Sequence, residues 1–268
     1  MLEIFIIAAI VGALFELDNF YIGIYLIAQP IITGAVAGLI FGDMTTGVVI
    51  GSVVQLIWAN TPPVGAYVPP SSSAIAFAAT SAAILIKQGV NPVIFVPADA
   101  SAVTMYAILV GIGTGFFVGQ MDIWNRQLNT QILHLYEKKI VDMKERYIVL
   151  IQIVAGLSKF LRDVVLYAVF FLVVVPFSIK VFNTLHPKLI QAFKFTYWML
   201  PALGFAVVYE MFRTKKGEPV FGVILICSYL LFSTYGTKLN TLFFYLILLA
   251  VGCFAVYNTI WKKQGKEK

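Results

Sequence analysis

Neutral polar side chains are concentrated in one short stretch of an otherwise apolar chain. In sequence order they are Gln55, Asn60, Thr61, Ser71, Ser72 and Ser73, with the aromatic residues Trp58 and Tyr67 between them. Amide and hydroxyl groups match the hydroxyls of a sugar ring, and an aromatic face packs on its C–H surface. The stretch therefore predicts a site for a neutral polyhydroxylated ligand, with Gln55 and Asn60 as binding residues.

The backbone of the same stretch cannot form one continuous helix. Pro63, Pro69 and Pro70 lack backbone donors and disrupt a helical turn, yet no charged residue occurs between Asp43 and Lys87. In an apolar environment, broken backbone persists only where it is buried in protein or lines a wet cavity. We therefore expect re-entrant or broken helices near residues 55–75. An ordinary exposed loop is the alternative.

The composition is that of a membrane protein. Of the 268 residues, 60% are hydrophobic and 12% charged, with a mean hydropathy of +0.89, whereas soluble domains have about 25% charged residues. The windows Phe20–Phe41, Ala100–Met121 and Leu239–Trp261 contain no charge and are long enough to span a bilayer. The sequence predicts an all-α integral membrane protein built as a multi-span helical bundle.

The net charge of +6 is explained by membrane topology rather than by nucleic-acid binding. Lys and Arg cluster in Arg126–Arg162, Arg213–Lys216 and Lys262–Lys268, and basic residues accumulate on the cytoplasmic side of membrane proteins. We interpret these clusters as solvated faces or lipid-headgroup contacts, with docking of a soluble partner as the alternative.

Three regions differ in character. Residues 1–121 form a Gly- and Pro-interrupted membrane core that carries the predicted ligand site. Residues 122–163 have a helical period with interspersed charges and predict an amphipathic cytoplasmic or interfacial segment. Residues 164–268 return to membrane spans and end in a basic cytoplasmic tail.

Glycines in the first region recur at helical spacing. Gly34, Gly38 and Gly42 are four residues apart, and Gly47 and Gly51 repeat that step. A helix face without side chains lets a neighbouring backbone approach closely. The pattern predicts tight helix packing, or alternatively a core that slides or reorients.

The acidic residues of positions 1–121 are few: Glu3, Glu16, Asp18, Asp43 and Asp99. Asp18 and Asp43 precede apolar segments, where a carboxylate serves either as a helix cap or as a ligand group. Asp43 is therefore a candidate binding residue with capping as the alternative, and the position of Asp18 predicts a cap for the following helix.

No catalytic or metal constellation is evident. His134 and His186 have no catalytic partner nearby in the sequence, and Cys227 and Cys253 lie in apolar spans where buried thiols are usually inert. We expect no cofactor, no metal and no enzymatic activity of the chain on its own.

Five short motifs together resemble one family of transport proteins. They are L-D-x-F at Leu17–Phe20, Q-P-I-I at Gln29–Ile32, G-D-x-x-T-G at Gly42–Gly47, I-G-S-V-V-Q at Ile50–Gln55 and G-A-x-x-P-P at Gly65–Pro70. This order is similar to the membrane-embedded IIC subunit of mannose/sorbose-family permeases of the bacterial phosphotransferase system (PTS).

The resemblance implies a multi-pass sugar permease of the bacterial plasma (inner) membrane, surrounded by lipid and acting in an oligomeric complex. It implies a membrane partner, IID, and soluble IIA and IIB proteins that carry the phosphoryl groups. It places the substrate in the Gly51–Pro70 block, which adds Gly65 to the binding residues. It also supports a functional role for Asp18.

One position departs from the family pattern. Gln55 stands where the family usually has a Glu associated with sugar binding. An amide still donates to and accepts from hydroxyls but cannot carry charge. Gln55 is therefore predicted to contact the substrate, with a bridge between two helices as the alternative.

The alternative functions are an ion-coupled secondary transporter and a divergent membrane subunit that no longer moves sugar. An ion-coupled carrier is expected to hold ionisable residues within its spans.

Overall fold

The computed structural model describes residues 2–18, 21, 23, 25–58, 68–89, 100–141 and 145–211. Within these ranges the chain is helical and contains no strand. The helices are α1 Leu2–Leu17, α2 Pro30–Phe41, α3 Met44–Ile57, α4 Ser72–Gly89, α5 Ala100–Val141, α6 Glu145–Val169, a π-helical turn Phe170–Val174, α7 Val175–Thr184 and α8 Pro187–Met211. The predicted all-α architecture is confirmed.

Helix α4 lies at the centre of the bundle. Every residue from Ser73 to Ile86 is buried, because α1, α2, α3, α5 and α7 all pack against it. Its sequence alternates small and apolar side chains, and a helix without a polar face is stable only when enclosed. The surrounding helices are therefore arranged around α4 as a central axis.

Helices α2 and α3 form a closely packed pair. A Cβ atom on Gly34 would come within 2.6 Å of the Gly47 carbonyl oxygen and 3.0 Å of the Cα of Gly51. The predicted tight packing is confirmed. Gly42 has another role, because it ends α2 in the left-handed conformation at φ 84°, which glycine adopts without strain.

The apolar window Phe20–Phe41 is not one helix, contrary to the sequence interpretation. Helix α2 begins only at Pro30, and Gly23 and Leu26 before it have positive φ angles of 125° and 66°. These conformations cannot continue a helix. The hydropathy of a segment depends on its residue types only, so it predicts that the segment is apolar but not that the backbone changes direction.

The predicted interruption near residues 55–75 is confirmed at both of its ends. Helix α3 ends at Ile57 and α4 begins at Ser72, and residues 68–70 between them are not helical. Asn60 and Gly65 lie outside the described residues.

Within the part of the chain that the structure describes, two helical stretches are long and apolar enough to cross a membrane, Ala100–His134 and Val149–Thr184. The second contains the π turn, in which the Val175 N–H donates to the carbonyl of Phe170. Pro176 follows and has no N–H for the α-helical bond to Leu172, which accounts for the local change of pitch.

The chain separates into two compact units, Met1–Gly204 and Phe205–Lys268. The first contains α1 to α7 and most of α8, and of the second only the end of α8 is described. The sequence boundary at residue 121 falls inside α5, and that at residue 163 falls inside α6.

Candidate functional site

Four helix ends meet at one place in the first unit. The carboxyl ends of α1 and α3 approach the amino ends of α2 and α4, and side-chain hydrogen bonds connect them. We call this place the helix-end junction, and its residues are Glu16, Asp18, Gln29, Thr33, Gln55, Ser71 and Ser73. Broken helices present backbone dipoles and polar termini to a ligand in this way in many transporters.

Gln29 and Gln55 join α2 to α3 at the junction. The Nε2 of Gln55 donates to the Oε1 of Gln29 over 2.6 Å. The Oε1 of Gln55 is buried and has no hydrogen-bond partner among the described residues. A buried acceptor without a partner costs about 1–3 kcal/mol. The helix bridge foreseen as an alternative for Gln55 is thus present, and one polar atom remains for another group.

Thr33 connects the start of α2 to the start of α4. Its hydroxyl lies 3.2 Å from the carbonyl of Pro30 and 3.3 Å from that of Ser73. Because Thr33 is fully buried, these bonds fix the two helix starts relative to each other.

The side chain of Glu16, a residue of α1, lies at the amino end of α4. Its carboxylate accepts hydrogen bonds from the hydroxyl of Ser71, at 2.9 Å to each oxygen, and from the hydroxyl of Ser73 at 2.5 Å. The Ser71 hydroxyl also accepts from the backbone N–H of Ala74 at 3.2 Å, as a helix cap does. A carboxylate at this end of a helix is stabilised by the helix dipole.

Asp18 holds the connection that precedes α2. Its carboxylate accepts from the backbone N–H of Tyr25 at 3.0 Å and of Ala28 at 3.2 Å, and the residue is fully buried. It does not cap α2, whose N-cap is Gln29. The carboxylate therefore shapes the backbone next to Gln29, at the edge of the junction.

Asp43 lies at the other end of α2, about 18 Å away along a helix of 12 residues. It is the N-cap of α3, accepting from the Thr46 N–H at 3.0 Å, and it pairs with Lys87 at 3.6 Å. Partial burial disfavours its charged form, but the Thr46 bonds and the Lys87 ammonium outweigh burial and lower the pKa of Asp43. The structure does not bring Asp43 to the junction.

A buried ion cluster adjoins the junction on α5 and α6. The Lys159 ammonium lies 2.7 Å from Asp122 and 3.0 Å from Asp163, and the Arg162 guanidinium lies 2.7 Å and 2.6 Å from the same carboxylates. Lys159 and Asp163 are each 1% exposed. The interpretation of the Arg126–Arg162 cluster as solvated is therefore wrong for Lys159 and Arg162, which fold back onto acidic partners.

Sequence reasoning missed most of these contacts. The sequence pattern includes Gln29 only in a motif, does not indicate Thr33, and assigns Asp122 and Asp163 to an amphipathic segment. One signal is present in the sequence: Lys159 and Asp163 are four residues apart on α6 and follow residues 147–158, which carry no charge. Oppositely charged residues at this spacing beside an apolar stretch favour a buried interaction.

The junction offers several groups that donate or accept hydrogen bonds. Its seven residues include no His and no Cys, and the described parts of the chain contain no group of three or more His, Cys, Asp or Glu able to hold a metal ion. Its amides, hydroxyls and carboxylates suit the binding of a polar molecule.

Two comparisons of the sequence with known proteins find relatives of the chain. The sequence model of the family described as the PTS system sorbose-specific IIC component matches residues 1–257. The putative N-acetylgalactosamine permease IIC component 2 of Escherichia coli (strain K12) is 30% identical over 116 residues, which is 43% of this chain and 79% of that protein.

Two solved structures are similar to the chain to different degrees. One, described as a membrane protein, superposes with a TM-score of 0.66 and 20% identity over 97% of this chain and 93% of its own. The mannose transporter ManYZ, in complex with microcin E492, gives a TM-score of 0.45 and 19% identity over the same shares.

Proposed function

Because the chain belongs to the family of sorbose-specific IIC components of the phosphotransferase system, we propose that this sugar-translocating membrane subunit binds its sugar at the helix-end junction. The junction combines converging helix ends with neutral amides and hydroxyls, and the helical structure is interrupted between α3 and α4. These features suit a ligand with many hydroxyl groups and no charge.

The observation that carries the proposal is the Oε1 of Gln55. This buried acceptor has no partner among the described residues, although the Nε2 of the same amide is bonded to Gln29. A sugar hydroxyl donates one hydrogen bond to such an oxygen and accepts others from neighbouring donors. The bridge to Gln29 fixes the direction of the acceptor, so the binding geometry is set before the sugar arrives.

The sugar is proposed to be neutral. Gln55 and Gln29 both present amides, which recognise hydroxyl and N-acetyl groups by directional hydrogen bonds rather than by charge. The similar E. coli protein is named as an N-acetylgalactosamine permease component, so N-acetylhexosamines belong in a first set of test sugars beside hexoses.

The chain is proposed to act as a multi-pass protein of the bacterial plasma membrane, with a IID-type membrane partner and IIA- and IIB-type phosphoryl carriers. Exposed apolar side chains recur every four residues along α6 and form a continuous stripe of Val149, Ile153, Leu157, Leu161 and Val165. Lipid or a partner helix must cover such a stripe. Since the junction contains no His or Cys, the residues that transfer phosphoryl groups are assigned to the partners.

The test is phosphoenolpyruvate-dependent sugar uptake by vesicles that contain the chain with IID, IIA and IIB proteins, together with sugar binding to the purified complex. Gln55→Leu should weaken binding about tenfold or more, because one or two hydrogen bonds are lost. Gln191→Leu is the matched control, since Gln191 is an exposed residue of α8.

Unchanged sugar affinity for an assembled Gln55→Leu complex would assign Gln55 to helix packing alone. Uptake that proceeds without any phosphoryl donor would instead favour a secondary transporter.

A further inference from the structure

Glu16 is a buried carboxyl group whose direct hydrogen bonds all come from neutral groups. It is 2% exposed, and its described hydrogen-bond partners are the hydroxyls of Ser71 and Ser73. A buried carboxylate is stable only when ionic partners or several strong donors compensate its lost hydration. The groups around Glu16 therefore determine whether its carboxyl group is ionised or protonated.

Among the described residues, the titratable groups that act electrostatically on Glu16 come from two helices. They are Lys159, Asp163 and Tyr167 of α6 and Asp122 of α5. Arg162 stands behind them, bound to Asp122 and Asp163. Helix α2 has no titratable side chain, and α4 contributes only the serines at this end, because its Lys87 lies at the opposite end.

The two cations of this group are engaged by other carboxylates. Lys159 lies within 3.0 Å of both Asp122 and Asp163, and Arg162 contacts the same two residues. With Glu16 ionised, three carboxylates face two cations, leaving one negative charge without a cation among these five residues. Like charges that share a buried site favour the uptake of a proton by one of them.

Tyr167 is a second buried polar group beside Glu16. Its hydroxyl approaches Glu16, and the residue is 2% exposed. The Tyr167 O–H can donate to an ionised Glu16, and a protonated Glu16 can donate to the Tyr167 oxygen. A hydrogen bond to Tyr167 can therefore form in both protonation states of Glu16, which lets the carboxyl change state without leaving a buried polar group unpaired.

We propose that Glu16 is a reversible proton-binding site, and that its protonation state controls ligand affinity at the helix-end junction. Water delivers the proton as hydronium, the carboxylate becomes a carboxylic acid, and a water molecule is released. The charge change acts on Ser71 and Ser73, which connect α1 to the start of α4. The link to ligand affinity rests on the proposed function, whereas the proton site does not.

The proton site is tested by infrared spectroscopy of the full chain in lipid nanodiscs, without sugar, with ¹³C-labelled glutamate to separate Glu from Asp bands. The carbonyl band of a protonated Glu should persist above about pH 5, where an exposed Glu is ionised. It should be absent in Glu16→Gln, which mimics the protonated form. Glu3→Gln is the control, because Glu3 is an exposed residue of the same helix.

The effect of Glu16 protonation on ligand affinity is tested by binding of radiolabelled N-acetylgalactosamine and mannose to the assembled complex at several pH values. Affinity should change with pH in the wild type and in Glu3→Gln and become independent of pH in Glu16→Gln.

A folded wild-type chain without a protonated Glu band above about pH 5 would overturn the proton site. A Glu16 band accompanied by sugar affinity that does not vary with pH would overturn the link alone. Loss of binding at every pH in the wild type would count against the proposed function, while the infrared result still decides the proton site.

Discussion

The ammonium of Lys159 lies 2.7 Å from the Oδ1 of Asp122, so a buried ion pair joins α6 to α5. Asp163 shares the ammonium at 3.0 Å, and the Lys159 side chain is 1% exposed. Charges removed from water in this way are tolerated only while each has its partner. The cluster therefore connects the long helices α5 and α6 next to the helix-end junction.

Lys159→Met should destabilise the chain by about 3–5 kcal/mol, because it leaves buried carboxylates without a partner. The free energy of unfolding in mixed micelles, measured by denaturant titration, checks this value. Lys180→Met is the control, since Lys180 is exposed on α7. Equal stability of the two variants would show that water reaches the cluster.

Removing one carboxylate together with the lysine should restore part of the loss. The double change Lys159→Met and Asp122→Asn should be more stable than Lys159→Met alone, because Arg162 then pairs with Asp163 and the charges of the cluster balance again. The same unfolding titration measures the recovery. A double variant less stable than the single one would mean that Asp122 stabilises the chain through a partner other than Lys159.

Gly47→Ala should destabilise the α2–α3 pair by about 1–3 kcal/mol, the usual cost of overpacking. A Cβ at this position would overlap the carbonyl of Gly34, and backbone cannot move aside as a flexible side chain can. Gly113→Ala is the matched control, because a Cβ built there meets no atom of another described element within 4 Å. That variant should be neutral or slightly more stable, since alanine favours helix by about 1 kcal/mol over glycine.

The bridge between Gln29 and Gln55 should appear as coupling in a double-mutant cycle on sugar affinity. Gln29→Leu should weaken binding less than Gln55→Leu, because it only frees the Gln55 amide to rotate while the proposed acceptor remains. The double variant should resemble Gln55→Leu, giving an interaction energy of about 0.5–3 kcal/mol. Strictly additive effects in binding titrations would place the two residues in separate roles.

Asp43→Ala should cost about 0.5–2 kcal/mol through loss of the α3 cap, whereas Asp43→Ser should retain most of it. The pKa of Asp43 is lowered in the folded chain, so its stabilising effect is present above the unfolded value of about 3.9 and is lost as the pH falls through the lower folded value. Unfolding of the wild type and Asp43→Asn, compared between about pH 6 and 3, should converge at the acid end. Sugar affinity should not change, because Asp43 is remote from the junction.

Some features of the fold depended only on local sequence and were predictable. The glycine spacing predicted the tight α2–α3 pair, because helical period fixes which residues share a face. The cap at Asp43 also follows from its own neighbours, since Thr46 is only three residues away. The broken helix after Gln55 follows from prolines that cannot donate backbone hydrogen bonds.

The candidate site depended on contacts between distant segments and was only partly predictable. The sequence selected Gln55 and the serines by their residue types, but Gln29 is 26 positions from Gln55, and Glu16 is 57 positions from Ser73. These separations along the sequence are far longer than a helical turn, so no local pattern indicates that these side chains meet. The packing of α1, α2 and α3 around α4 brings them together.

The sequence by itself determined that the chain is an all-helical membrane protein with one interrupted, neutral and polar stretch, because apolar composition and proline exclude other arrangements in lipid. Only the tertiary structure decided which polar groups are buried and how they are paired. Residue type alone does not distinguish Lys159 and Arg162 from basic residues that are exposed to solvent. Their burial follows from the position of Asp122 on the neighbouring helix α5, since the free energy of a buried charge is set by its partners in space.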